Sequence, residues 1–175
     1  YNIIKNNEIK DGYSGGFFAG VGAGIFVDYT SENQPSPVID NNVIKDNTAT
    51  NSYGAGIGIN NRYHFDSTET ASPVIKNNTI SGNYANDGSA IFASKATVLI
   101  DDNIIENNES TAKGTLCFDN CDLNIENNEI RNNTADNEAA VSIYGESTVT
   151  IYNNIITGNE ATDGAGGGIT RDNST

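Results

Sequence analysis

Apolar positions in this chain recur in short alternating runs, not in the three-and-four spacing of an amphipathic helix. Aligning the Asn-Asn pairs exposes a repeat: IIKNNEIKDG (3–12), VIDNNVIKDN (38–47), VIKNNTISGN (74–83), LIDDNIIENN (99–108), NIENNEIRNN (124–133) and TIYNNIITGN (150–159). The second Asn of each pair is Asn7, Asn42, Asn78, Asn103, Asn128 and Asn154, at separations of 35, 36, 25, 25 and 26 residues. Between them lies a second block: GAGIFV (22–27), GAGIGI (54–59), GSAIFA (88–93), KGTLCF (113–118), EAAVSI (138–143) and GGGITR (166–171). Each period holds a first strand, a corner, a second strand, an Asn corner, a third strand and a Gly-rich corner. Three strands of about 3–5 residues in so short a period leave no room for a normal helix.

The apolar residues keep one register through the repeats. The first strand stacks Ile25, Ile57, Ile91, Leu116, Val141 and Ile169. The second stacks Ile4, Ile39, Ile75, Ile100, Ile125 and Ile151, and the third Ile9, Ile44, Ile80, Ile105, Ile130 and Ile156. A coil of this kind buries its apolar set only when a neighbour stacks on it about 4.8 Å away. Each large aliphatic so buried contributes roughly 1.5–3 kcal/mol. The pattern therefore predicts an all-β parallel solenoid of about six coils, with three short strands per coil and a single domain over 1–175.

The Asn residues have a physical reason. A sharp bend between strands needs a residue that tolerates left-handed φ, and Asn is the usual choice after Gly. Stacked Asn amides also satisfy one another at a buried corner. The expected ladder runs through Asn6, Asn41, Asn77, Asn127 and Asn153, with Asp102 at the remaining step, and a second runs through Asn47, Asn83, Asn108, Asn133 and Asn159.

Composition agrees and narrows the function. The 28 Asn, 18 Gly and 21 Ile against 3 Leu disfavour helix, and 36% hydrophobic residues suffice for a core. A net charge of −14 repels phosphate, so nucleic acid is not expected as a partner. No apolar run reaches the roughly 20 residues of a membrane-spanning helix. Tyr1 enters in mid-element and GGGITRDNST leaves just after a first strand, so the chain reads as a fragment of a longer solenoid or multidomain protein. Open solenoid ends would invite end-to-end pairing.

The pairing of GAGI or GGGI with I-x-x-N (IKDN, ISGN, IENN, IRNN, ITGN) resembles right-handed parallel β-helix repeats of the pectate-lyase-like superfamily, over the whole chain. It looks like the repeats of secreted and surface-anchored microbial proteins. Bacterial polymorphic outer-membrane proteins are similar, with Ile here in place of their Phe. The resemblance implies an extracellular or cell-surface location. It leaves function open, because the fold hosts lyases, hydrolases, adhesins and spacers.

Two insertions stand out between first and second strands, 28–37 and 60–73. Long loops on a rigid solenoid are where binding sites are built. Tyr29, Arg62, Tyr63, His64 and Asp66, with Tyr53 nearby, offer aromatic faces and polar groups suited to carbohydrate. Family lyases use a basic residue with calcium. Arg62 with Asp28 and Asp66 imitates that set without a matching motif. The polygalacturonase-type blocks NTD, GHG and RIK are absent, so no catalytic residue is assigned. The acidic charge raises calcium as a cofactor, with Asp28 and Asp119 as weak ligand candidates and no recognised calcium loop. Cys117 is expected outward and Cys121 across the corner from it, a spacing that fits either a small disulfide or two free thiols.

Three readings follow. The first is a non-catalytic extracellular or cell-surface structural or adhesive segment. The second is a carbohydrate-active module, binding or cleaving polysaccharide at the long loops. The third is an end-to-end assembling filament or sheath subunit.

Overall fold

The computed structural model describes residues 2–10, 22–29, 35–60, 71–138, 140–164 and 166–172. Every strand in it pairs in parallel, and the strands stack into four walls. The first wall comprises 25–28, 57–60, 91–94, 116–119, 141–144 and 169–172. The second comprises 38–40, 74–76, 97–101, 122–126 and 148–152. The third is formed by 2–5, 42–45, 79–81, 104–106, 129–131 and 155–157. The parallel β-helix expected from the repeat is what forms.

Each coil also carries a fourth short strand after the second Asn corner: 8–9, 48–53, 84–87, 109–110, 134–135 and 160–161. Its inward row is Ile9, Ala49, Ala85, Ser110, Ala135 and Ala161. Small side chains there give no alternation of large apolar residues, which is why periodicity alone read this stretch as corner.

The larger rows fill the interior. Ile57, Ile91 and Leu116 of the first wall, Ile75, Ile100 and Ile125 of the second, and Ile44, Ile80, Ile105 and Ile130 of the third are all fully buried. The first-wall stack is the expected one throughout.

The first coil departs from the expected register. Asn2, Ile3, Ile4 and Lys5 lie beside Asn42, Val43, Ile44 and Lys45, so Ile4 heads the third-wall row and Ile9 belongs to the fourth. Asn7 aligns with Asn47, not Asn42, and Asn6 turns the second Asn corner, not the first. The segment NIIKNNEI matches NVIKDNTA as well as it matches VIDNNVI, and the Asn pair at 6–7 favoured the wrong partner.

The two Asn positions of each corner divide the labour. At the first Asn corner Asn41, Asn77, Asp102, Asn127 and Asn153 hold φ between 53° and 58°, the left-handed bend. The inward ladder is made by the residues that follow, Asn42, Asn78, Asn103, Asn128 and Asn154, not by the bend residues as the sequence reading had it. Asn103 is typical: its N–H and Nδ2 donate to Asn128 Oδ1 at 2.9 and 3.0 Å, and Nδ2 also donates to the carbonyls of Ile75 and Asp101 at 2.9 Å each. The bend residues bond on the outside, as where Asn127 Nδ2 donates to Asp101 Oδ1 at 2.8 Å.

The second corner repeats the scheme. Asn6, Asp46, Gly82, Asn107, Asn132 and Gly158 take the bend. Asn7, Asn47, Asn83, Asn108, Asn133 and Asn159 form the ladder, with side-chain bonds of 2.9–3.0 Å at every step.

Candidate functional site

Arg62, Tyr63, His64 and Asp66 lie outside the described residues. Of the residues proposed for binding, Tyr29 and Tyr53 have positions, and they sit in different surroundings.

Tyr29 is 1% exposed and belongs to the core. Its hydroxyl donates to the carbonyls of Ser94 and Lys95, at 2.7 and 2.5 Å. Burial raises its pKa, so it stays a neutral donor. A ring enclosed in this way has no face for a sugar, so the structure gives Tyr29 an anchoring position at the base of the first insertion.

That anchor completes a third, shorter ladder at the corner between first and second walls. The inward positions there are Ala71, Ala96, Cys121 and Ser147, all buried. Cys121 copies the ladder-Asn geometry: its N–H donates to Ser147 Oγ at 2.9 Å, and its thiol contacts the carbonyls of Ala93 and Asp119 at 3.5 and 3.3 Å. Ala96 has no side-chain donor, and the Tyr29 hydroxyl arrives from outside the row to bond the corner carbonyls. Burial pushes the Cys121 thiol up to about 12.

Cys117 points the other way. It sits on the outward face of the first wall, between Phe92 and Ser142, and is still only 3% exposed. Both thiols are free: Cys121 joins the core cluster while Cys117 lies on the opposite face of the sheet. The disulfide alternative is therefore not realised: Cys117 faces outward from the first wall, and Cys121 turns into the core at the corner that follows it.

What covers Cys117 is the best-defined side-chain cluster on the outside of the solenoid. Tyr53 stacks on Phe92 with ring centroids 4.9 Å apart and planes 20° from parallel. The backbone reaches that position through Gly54, at φ 63°, where a Cβ would come within 2.8 Å of the Gly58 Cα. Asp87 accepts the Lys113 N–H at 2.9 Å. The Lys113 ammonium lies 3.7 Å from the centre of the Tyr144 ring, and the Tyr144 hydroxyl donates to Glu138. Burial first, and the neighbouring carboxylate of Asp87 second, raise both Tyr53 and Cys117. Burial also raises Asp87 and Tyr144. Every shift in the cluster favours the uncharged form of these groups, so the thiol and phenols are packed and protonated, not activated nucleophiles.

The calcium candidates do not converge. Asp28 lies beside Asn60 in the first wall, several coils from Asp119. The Asp119 oxygens take the Asn120 amide at 2.9 Å and face the Ser94 hydroxyl at 3.4 Å. Among the described residues no group of three His, Cys, Asp or Glu is placed to hold a metal ion.

The outside of the second wall carries a shallow groove of about 390 Å³ lined by Pro73, Val74, Leu99, Asp122 and Asn124, among others. It adjoins the second insertion and is mostly apolar. Elsewhere on the surface charged side chains pair: Lys76 with Asp40 at 3.9 Å, and on the third wall Arg131 with Glu106 at 2.8 Å. These are surface pairs between adjacent coils, worth little each.

A parallel four-walled coil with Gly and Asn corners defines the class, and the family comparison agrees with it. A family model described as "Right handed beta helix region" matches residues 2–175, and the chain belongs to that family. No curated protein and no solved structure matches the chain.

Proposed function

We propose that the chain is a rigid, non-catalytic structural segment of an extracellular or cell-surface protein, a stalk or adhesive scaffold that holds its insertion loops at a fixed spacing. The observation that carries this reading is continuity. Two Asn ladders and three large apolar rows keep their pairing through every coil, even where the insertions lengthen the corner beside them. The side chains best placed for chemistry, Cys117, Tyr53, Asp87 and Tyr144, are drawn toward neutral, packed roles.

The test is twofold. Pectate, alginate and related polymers, incubated with the chain with and without calcium, should give no unsaturated product; product formation would overturn the non-catalytic reading. On intact cells of the source, a tagged full-length protein should be cut by added protease, and protection would overturn the surface location.

A second reading is polysaccharide recognition at the insertions 28–37 and 60–73. It is favoured by the anchoring of Tyr29, which fixes the base of one insertion to a rigid corner two coils on. A glycan array with wild type and a variant lacking Tyr63 and His64 tests it. The expected result is a saccharide signal that the variant loses; an unchanged signal would remove the loops as its source.

A further inference from the structure

We propose that the groove on the outside of the second wall docks an extended, basic segment of a partner protein, with one apolar side chain of that segment seated in it. This goes beyond the scaffold reading, which stands whether or not a partner binds.

The groove lies in mid-solenoid. Its lining comes from 72–74, 97–99, 122–124 and Thr148, on four consecutive coils. Strands 74–76, 97–101 and 122–126 each have a parallel neighbour on both sides, so their backbone groups are already committed. An occupant therefore adds no strand and is held by side chains. With coils about 4.8 Å apart, the four lining segments span roughly 14 Å, the length of about four extended residues.

Its polarity departs from that of a solvated sheet face. Val74, Leu99 and Asn124 form one outward row, aligned by the pairing of their strands. Val74 and Leu99 stay half-buried at positions where alternation ordinarily places polar residues. Asn124 Nδ2 donates to Glu126 Oε1 at 3.3 Å, while its Oδ1 is buried and accepts no bond among the described residues. A buried acceptor without a donor costs free energy until one is supplied. A peptide N–H, ammonium or guanidinium of the occupant supplies it.

Charge selects the occupant. Asp122 lines the groove at an exposed position between Thr97 and Thr148. Two residues further along the same strands, on the same face, stand Lys76, Asp101 and Glu126, with Asp40 paired to Lys76 at 3.9 Å. Asp122, Asp101 and Glu126 leave that face net negative. A net charge of −14 makes a second copy of this chain a poor occupant, and a polyanion a poorer one. None of the described lining residues is aromatic, so a sugar ring has no platform. An apolar side chain between arginines or lysines meets the groove, the Asn124 acceptor and the carboxylates together.

Fluorescence anisotropy on the 175-residue chain tests this with a labelled peptide, RRLRR, and its control RRGRR. Wild type should bind RRLRR about fivefold or more tighter than RRGRR, the gain from burying part of one leucine. Leu99→Ser should erase most of that preference, and so should Val74→Thr, which keeps the branched shape. Asp122→Asn should weaken RRLRR about twofold at low salt and not at high salt. Glu109→Gln, the same charge change on the fourth wall, should leave binding unchanged. Equal affinity for the two peptides would reduce the attraction to bulk charge and overturn the proposal. So would a preference that Leu99→Ser and Val74→Thr both keep while their circular dichroism and urea unfolding match wild type. Sedimentation velocity covers the rival occupant. A wild type that self-associates, and that Leu99→Ser returns to the 18.5 kDa of one chain, would put a second copy in the groove and overturn the partner reading.

Discussion

At the residue scale, neighbouring Asn residues do different work, and substitution should separate them. Asn107 is exposed and bends the chain at φ 55°; Asn108 is buried and bonds both adjacent coils. Asn107→Gly should leave stability nearly unchanged, and Asn107→Ala should cost roughly 1–2 kcal/mol through the left-handed φ. Asn108→Ala should cost about 2–3 kcal/mol or more, since it strands the Ile80 carbonyl and the Asn83 donors. Urea unfolding reads all three. Cys121 gives a parallel case: Cys121→Ser should be tolerated because Ser147 fills the same role one coil on, whereas Cys121→Ala loses the donor. Both thiols should resist alkylation in the folded protein and react on unfolding, and an oxidant should not link them.

Asp87 gives a pH signature. Burial raises its folded pKa above the unfolded value, so its contribution is fully present below the unfolded pKa and is lost as pH rises through the folded one. Asp87→Asn should therefore flatten the fall in stability as pH rises above the ordinary range of a free Asp carboxyl. A variant whose melting temperature falls with pH as steeply as wild type would remove Asp87 as the cause.

At the element scale, the strands that sequence showed clearly were those with large aliphatics on a two-residue alternation. The first-wall row Ile25, Ile57, Ile91, Leu116, Val141, Ile169 was legible to the residue. The fourth wall was not, because Ala49, Ala85, Ser110 and Ala135 stack as small residues that resemble a turn. The first coil was read one wall off because NIIKNNEI is degenerate between two repeat positions. Tyr29 illustrates a different limit. An aromatic at the start of a long loop looks like a binding residue, and only the carbonyls of Ser94 and Lys95, far along the chain, reveal an anchor. Tyr29→Phe should cost about 1–3 kcal/mol by leaving those carbonyls without their donor. A loss confined to glycan binding, with stability intact, would instead return Tyr29 to the recognition role.

At the scale of the whole molecule, hydrogen-bond polarity and apolar rows run the same way through all coils, which is what makes the solenoid one rod. The acidic surface, prominent in composition, contributes little to that order: its placed charges fall into mixed rows such as Asp40, Lys76 and Asp101. The two Asn ladders lock the coils together along their length. Backbone amide hydrogen exchange tests it most directly. The amides of Asn42, Asn78, Asn103, Asn47, Asn83 and Asn108 should exchange only through global unfolding, with one common free energy in every coil. Exchange at these amides as fast as at surface corners, or a free energy that differs from coil to coil, would contradict it.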